Sequence, residues 1–208
     1  MKNRSTVTNL VTKCQYIAEK LDRQSQVDVV YTDFSKAFDR LDYGILLDKL
    51  TAFDLSIPMI NLLKSYLQNR YQFVQFRRYE SEKFQQRSGV PQGSILGPLL
   101  FVMFINDIIA NVNWVNCLLC ADDLKLFTEI TSESDCALLQ KAINMIAVWC
   151  NQNKLPLNAE KCNVLSFTRK INPIKYNYNI DSSMLQRPQY IKDLGVVFDA
   201  KLNFIKHI

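Results

Sequence analysis

The sequence predicts a mixed α+β fold in which helices pack on one face of an antiparallel sheet. Three observations carry that expectation. Short β-branched and aromatic runs recur at Val27 to Thr32, Trp114 to Ala121, Leu124 to Thr128 and Val164 to Thr168. Stretches of helical periodicity separate them, and the central order of strand, helix, helix, strand, strand, helix, strand is that of a split βαβ layer. The 208 residues are 48% hydrophobic and 22% charged, enough for one sizeable core or two small ones; five Gly and six Pro, with no repeat, exclude collagen-like, solenoid and disordered chains. The longest apolar stretch, Leu99 to Ile105, stops against Pro98 and Asn106-Asp107, far short of the ~18 residues of a membrane span. No apolar signal core opens the chain. The expectation is a soluble intracellular protein that is not secreted and does not engage a membrane.

The elements follow in order. Ser5 to Leu21 places Leu10, Cys14, Ile17, Ala18 and Leu21 at helical spacing behind a Ser5-Thr6 N-cap. Val27 to Thr32 is a strand delivering Asp33 at its C-terminal end. Helical patterns run from Leu41 to Phe53 and from Pro58 to Gln68, with Pro58 at an early helical position. Arg70 to Arg87 alternates polar and apolar residues as a basic hairpin. Ser88 to Gly93 is a turn-rich loop, and Leu96 to Ile109 reads as a long apolar helix buried on most sides. Trp114 to Ala121 and Leu124 to Thr128 leave only Asp122-Asp123 between them, the spacing of a tight hairpin. Cys136 to Trp149 is helical, with Leu139, Ile143, Ile146 and Cys150 on one face. Val164 to Thr168 and Tyr190 to Phe198, the latter around Gly195, read as strands. No linker is long enough to separate independent domains.

Chemistry narrows quickly. Cys117 and Cys120 form a lone CxxC inside an apolar strand, where an offset of three places the side chains on opposite faces. No second Cys/His pair follows at zinc spacing, so buried free thiols are expected. A single His, His207, leaves no material for a Ser-His-Asp triad, and catalysis must run on carboxylates, Lys, Arg and backbone. Asp33 ends one strand and Asp122-Asp123 form the tip of a hairpin, two places that an antiparallel sheet can bring side by side. Three carboxylates brought together repel one another and call for a hard divalent cation. Taken alone, Asp122-Asp123 is equally a polar hairpin turn, and Asp33 a turn cap.

Company decides between these readings. Tyr31-Thr32-Asp33-Phe34-Ser35-Lys36-Ala37-Phe38-Asp39 is followed by Ser88-Gly89-Val90-Pro91-Gln92-Gly93-Ser94-Ile95-Leu96-Gly97-Pro98, then by Ala121-Asp122-Asp123, Leu157-Asn158-Ala159-Glu160-Lys161 and Leu194-Gly195-Val196. In words, order and spacing these blocks closely resemble the reverse transcriptase domain of non-LTR (LINE-like) retrotransposons, especially the jockey-like elements of insects. The likeness runs from about Arg4 to Phe204.

The resemblance implies a right-hand polymerase architecture: a palm with partial fingers and no thumb. Residues 1–26 and about 45–87 would be fingers, 27–44 and about 88–189 palm, and 190–208 the primer-grip strand and the start of the thumb connection. It implies Asp33, Asp122 and Asp123 as catalytic metal ligands for two Mg²⁺ ions, with Mn²⁺ as an alternative ion. Lys161 matches a proton donor to the leaving pyrophosphate. Phe34, Ser35, Lys36 and Ala37 would cradle the triphosphate by backbone, and Phe38 would lie beneath the incoming sugar and exclude a 2′-hydroxyl. Gln92 and Gly93 would lie near the nucleotide, with Gly89 and Gly93 permitting close backbone approach. Leu194 and Gly195 would hold the primer end. Arg70, Arg77 and Arg78 would neutralise phosphates, in keeping with a net charge of +5. The implied partners are an RNA template, a DNA primer and dNTPs, in the nucleus or cytoplasm. Cys120 departs from the family, which usually carries an aromatic there. The implied extent is that of a fragment or decayed copy beginning inside the fingers, and a catalytically silent nucleic-acid-binding remnant is the rival reading.

Overall fold

A computed structural model of the chain describes residues 5–110, 112–204 and 207. Residues 1–4 of the expected first segment, and 205, 206 and 208 of the expected last one, lie outside the described residues. The chain forms two compact units, one of residues 1–34, 108–150 and 156–208 and one of residues 35–107 and 151–155.

The first unit is built on a four-stranded antiparallel sheet of order β6-β7-β1-β8. Strand β1 (Gln26–Thr32) is central, β7 (Asp123–Ile130) and β8 (Asn163–Thr168) flank it, and β6 (Asn116–Cys120) forms the edge. Tyr31 pairs with Lys125 and Thr32 with Leu124, a register that carries the end of β1 to the start of β7. The β-branched run of β1 suits a central strand covered on both sides. One face carries Val27 and Val29, which form a core with Phe127, Leu165 and Phe167 beneath helix α1 (Thr6–Asp22). Ser5 caps α1 by accepting from the Thr8 amide at 3.2 Å. The opposite face is also covered: Tyr178 meets Asp28 there and contacts Cys136 of helix α5 (Glu133–Gln152).

Two hairpins complete this unit, β9 (Asn179–Ile180) with β10 (Ser183–Met184), and β11 (Tyr190–Asp193) with β12 (Val196–Asp199). The segment from Tyr190 to Phe198, expected as one strand, therefore folds back on itself. Leu194 (φ 47°) and Gly195 (φ 90°) both take left-handed backbone, the requirement of a two-residue hairpin turn. Helix α1, expected among the fingers, packs on the sheet. Its buried residues are Asn9, Lys13, Ile17 and Leu21, a stripe of spacing four. Leu10 and Cys14 sit at its margin.

The second unit joins a 3-10 turn (Ala37–Asp39) to helices α2 (Tyr43–Ala52) and α3 (Ile57–Leu67), then to a nested basic hairpin and helix α4 (Leu96–Ile105). In the hairpin, β2 (Tyr71–Gln72) pairs with β5 (Phe84–Gln85) and β3 (Gln75–Phe76) with β4 (Tyr79–Glu80). Helix α4 is shorter than expected and is buried on one side only, since Leu99 and Val102 are exposed. Lys49 explains its end: the ammonium donates to the Phe104 carbonyl at 2.9 Å and pairs with Asp107 at 2.6 Å, satisfying the last turn.

Candidate functional site

Asp33 follows β1 directly, and its main chain is held on both sides. The Asn158 amide donates to its carbonyl at 2.8 Å, while its own amide donates to the Cys162 sulfur at 3.3 Å. Burial pushes the Cys162 thiol up to about 11, so this sulfur stays protonated. The turn from Asn158 to Lys161 is thereby pinned to Asp33, and the Lys161 ammonium stands 3.7 Å from the carboxylate. Both side chains remain open to solvent, Asp33 at 41% and Lys161 at 68%.

The β6–β7 hairpin closes one residue earlier than expected. Ala121 (φ 52°) and Asp122 make the turn, and Asp123 is the first residue of β7, opposite Cys120. Among the described residues no group of three His, Cys, Asp or Glu side chains forms a site that could hold a metal ion. The three expected ligands therefore do not form a complete cage of their own. The donors still fit a hard cation, being carboxylate oxygens that remain within electrostatic reach of one another. Asp123 sits above the ordinary carboxylate range, first because protein displaces water around it and then because Asp122, Asp193 and Asp33 add negative charge against Lys125. Mg²⁺ commonly takes only one or two carboxylates and fills its oxygen shell with substrate phosphates.

Asp33, Asp123 and Lys161 line one cleft of about 350 Å³, together with Lys125, Asp193 and Leu194. Cys120 is partly buried, and burial raises its thiol. All six cysteines are free.

In the other unit, Lys36 takes left-handed backbone (φ 53°) just ahead of the 3-10 turn. Such a succession is one from which backbone N–H groups converge on an anion. Phe38 is half-buried and stacks on the buried Phe101, centroids 4.4 Å apart. The loop of residues 88–93 is stitched to the same turn: Gly89 N–H donates to the Leu41 carbonyl and Val90 N–H to the Phe38 carbonyl, each at 2.8 Å. A Cβ on Gly89 would meet the Asp39 backbone at 2.6 Å, so a side chain cannot be accommodated there. Among the described residues nothing lies within 4 Å of the Cβ that Gly93 would carry, and its φ of 77° favours glycine. Exposed Gln92 donates to the Asp39 carboxylate at 2.9 Å. Asp39 thus links both sequence blocks, a role that its place inside the first block hinted at without defining.

Arg77 and Arg78 form the two-residue turn between β3 and β4, and Arg70 lies over the Tyr66 ring at 5.5 Å. Around them Tyr71, Phe73, Phe76, Tyr79 and Phe84 are exposed. The sequence reading passed over one further group: Lys13 and Lys125, both buried, meet the buried Asp193. Lys125 could have been found as the lone charge inside the apolar run Leu124 to Phe127.

Comparison with known proteins follows this geometry. The family model for reverse transcriptase (RNA-dependent DNA polymerase) matches residues 1–198. A probable RNA-directed DNA polymerase from transposon BS of Drosophila melanogaster is 30% identical over 98% of this chain, and the alignment covers 23% of that protein. The RNA-directed DNA polymerase from mobile element jockey of Drosophila funebris is 30% identical over 93% of the chain and 22% of its own length. The chain thus spans under a quarter of the length of these relatives. Among solved structures, telomerase from Candida albicans with the TWJ fragment of telomeric RNA superposes with a TM-score of 0.67 at 13% identity, covering 96% of this chain and 33% of that one. That likeness is one of fold, the right-hand polymerase architecture. No helix among the described residues is long and apolar enough to cross a membrane.

Proposed function

The chain belongs to the reverse transcriptase (RNA-dependent DNA polymerase) family, and from that premise we propose that it is the palm and partial fingers of an RNA-directed DNA polymerase of a non-LTR retrotransposon. The reaction is attack of a DNA primer 3′-hydroxyl on the α-phosphate of a dNTP, directed by an RNA template, in the nucleus or cytoplasm. The observation that carries the reading is the cleft that Asp33, Asp123 and Lys161 share with Leu194.

Asp33, Asp122 and Asp123 would hold Mg²⁺, or Mn²⁺ in its place, which when bound neutralises charge on the transferring phosphate and lowers the pKa of the attacking hydroxyl. Lys161 would give a proton from Nζ to the departing pyrophosphate, and its ammonium stands 3.7 Å from the Asp33 carboxylate. Backbone amides from Phe34 to Ala37 would bind the triphosphate. The Phe38 ring, with its packing against Phe101, would leave no space for a 2′-hydroxyl. Gln92 and Gly93 would border the nucleotide, and Leu194-Gly195 would hold the primer end. Arg70, Arg77 and Arg78, interleaved with exposed aromatics, would neutralise phosphates while bases stack.

Primer extension on an RNA template with Mg²⁺ and dNTPs is the test. Extension by the parent and its abolition in Asp122→Asn, with the melting curve unchanged, is the expected result. Equal extension by that variant would remove the carboxylate assignment, and absence of extension by the parent with retained RNA binding would favour a silent binding remnant.

A further inference from the structure

Three charged side chains that the proposed chemistry does not use meet at the cleft, Lys125 and Asp193 in its lining and Lys13 in contact with Asp193. Lys13 of α1 is 0% exposed in its side chain, Lys125 of β7 2% and Asp193 of β11 2%. Each carboxylate oxygen of Asp193 has its own ammonium: Lys125 Nζ stands 2.7 Å from Oδ1, and Lys13 Nζ pairs with Oδ2. The lysines are tied in further. Lys125 donates to the Asn9 side-chain oxygen at 3.0 Å, and Lys13 donates to the Tyr31 hydroxyl at 3.3 Å and lies 3.6 Å from the centre of the Phe198 ring. Five elements, α1, β1, β7, β11 and β12, meet at this point.

Their location gives the cluster its meaning. Lys125 is two residues along β7 from Asp123, so both side chains leave the same face of the sheet. Asp193 immediately precedes the Leu194-Gly195 turn. Among the described residues the β11–β12 ladder pairs only with itself and is not a strand of the main sheet. Apolar contact through Ile191 and Phe198 holds the ribbon down, and the Thr168 amide holds its far end at the Ala200 carbonyl at 2.9 Å. Apolar contact is non-directional and tolerates sliding. The ion pairs do not: a slip of β11 by one residue would offer the two lysines Lys192 or Leu194 in place of Asp193, leaving buried ammoniums without a counter-charge, an arrangement of high cost. Burial already pulls the Lys13 ammonium below its ordinary range, against the opposing pull of Asp193.

We propose that Lys13, Lys125 and Asp193 form a positioning clasp that fixes the Leu194-Gly195 turn against Asp123 and so sets where a primer 3′ end is held. The proposal rests on the polymerase reading for its link to the primer, but its structural half does not. A lysine, an aspartate and a second lysine act here through the hairpin rather than on the reacting atoms.

The test compares the parent chain with Lys13→Met/Lys125→Met/Asp193→Leu, which removes all three charges together and so leaves none buried alone. We expect this variant to melt within about 5 °C of the parent. Amide hydrogen exchange at residues 190–199 should rise about tenfold or more while β1, β7 and β8 keep their protection. The KM for primer–template should rise about tenfold with kcat within about threefold of the parent. A variant that melts, exchanges and extends like the parent would reduce the cluster to core packing and overturn the proposal. Faster exchange with an unchanged KM would overturn the link to the primer. If the triple variant does not fold, Lys13→Met, which leaves the Lys125–Asp193 pair balanced, replaces it, with exchange at 190–199 about threefold faster as the expected result and unchanged exchange as the contrary one. A parent that extends nothing would count against the polymerase reading, while hydrogen exchange would still judge the clasp.

Discussion

Asp28 and Asp33 lie five residues apart on one strand and its exit, yet they occupy opposite electrostatic worlds. Asp28 is fully buried and accepts from Gln26 at 2.9 Å, Ser166 at 2.6 Å and Tyr178 at 2.9 Å, with Arg187 at 3.8 Å. Burial, followed by the charge of Asp28, holds the Tyr178 hydroxyl far above its ordinary range, so it remains a donor. Among the described residues the Asp33 side chain has one distant cation, Lys161 at 3.7 Å, and is itself 41% exposed. The lone pairs of Asp28 are consumed by the fold, whereas the Asp33 carboxylate stays open to solvent beside the cleft. A buried carboxylate is informative about stability, and an exposed one at a cleft is informative about chemistry.

The largest expected effect tests the open end. Asp33→Asn should lower primer extension by about 10³-fold or more, since loss of cation-assisted charge stabilisation amounts to several kcal/mol, while urea denaturation shifts by less than about 0.5 kcal/mol. Full activity in that variant would break the comparison at its functional side. The closed end should answer in the opposite currency. Asp28→Ala leaves Tyr178, Ser166 and Gln26 without their acceptor and should destabilise the chain by about 3 kcal/mol in urea, with extension per folded molecule kept within about threefold. A stability equal to the parent would mean that the buried network contributes nothing.

Five residues beyond Asp33, Phe38 lies between the two extremes, half-buried and stacked on Phe101. Phe38→Val should lower the ratio of kcat/KM for dNTP over rNTP by on the order of 10²-fold, chiefly through gain on the rNTP side. An active variant that rejects rNTPs as the parent does would return Phe38 to the core. The smallest effect concerns Asp42, which caps α2 by accepting from the Ile45 amide at 3.1 Å and pairs with Lys154 at 2.7 Å. The Lys154 hydrogen bond, with the Ile45 amide second, holds the Asp42 carboxyl below its ordinary 3.8. Because the folded value is depressed, its stabilisation is complete above 3.8 and fades as pH falls through the folded value. Asp42→Ala should therefore cost about 1 kcal/mol at neutral pH and close to nothing at about pH 2, as read from urea curves at both. An equal cost at both would remove the charge from the account.

Much of this was written in local pattern. The β-branched run before Asp33, the Ser5 cap, the proline opening α3 and the period of α5 each act over a few residues, so the sequence alone determined those elements and the blocks that mark the family. The details that went astray were those in which distant groups compete. The hairpin turn moved from Asp122-Asp123 to Ala121-Asp122 because register with β1 places Leu124 opposite Thr32. Helix α4 ends early at a turn where Lys49, from a distant helix, donates to the Phe104 carbonyl. Nothing local marks Lys13 and Lys125 as partners of Asp193, which stands 180 residues from Lys13 and is brought between them only by the fold. A side chain's periodicity shows which face it shares, but the free energy of burying a charge depends on the counter-charge that folding supplies. Only the tertiary structure, by setting that distance, decided which carboxylates were neutralised within the protein and which were left facing the cleft.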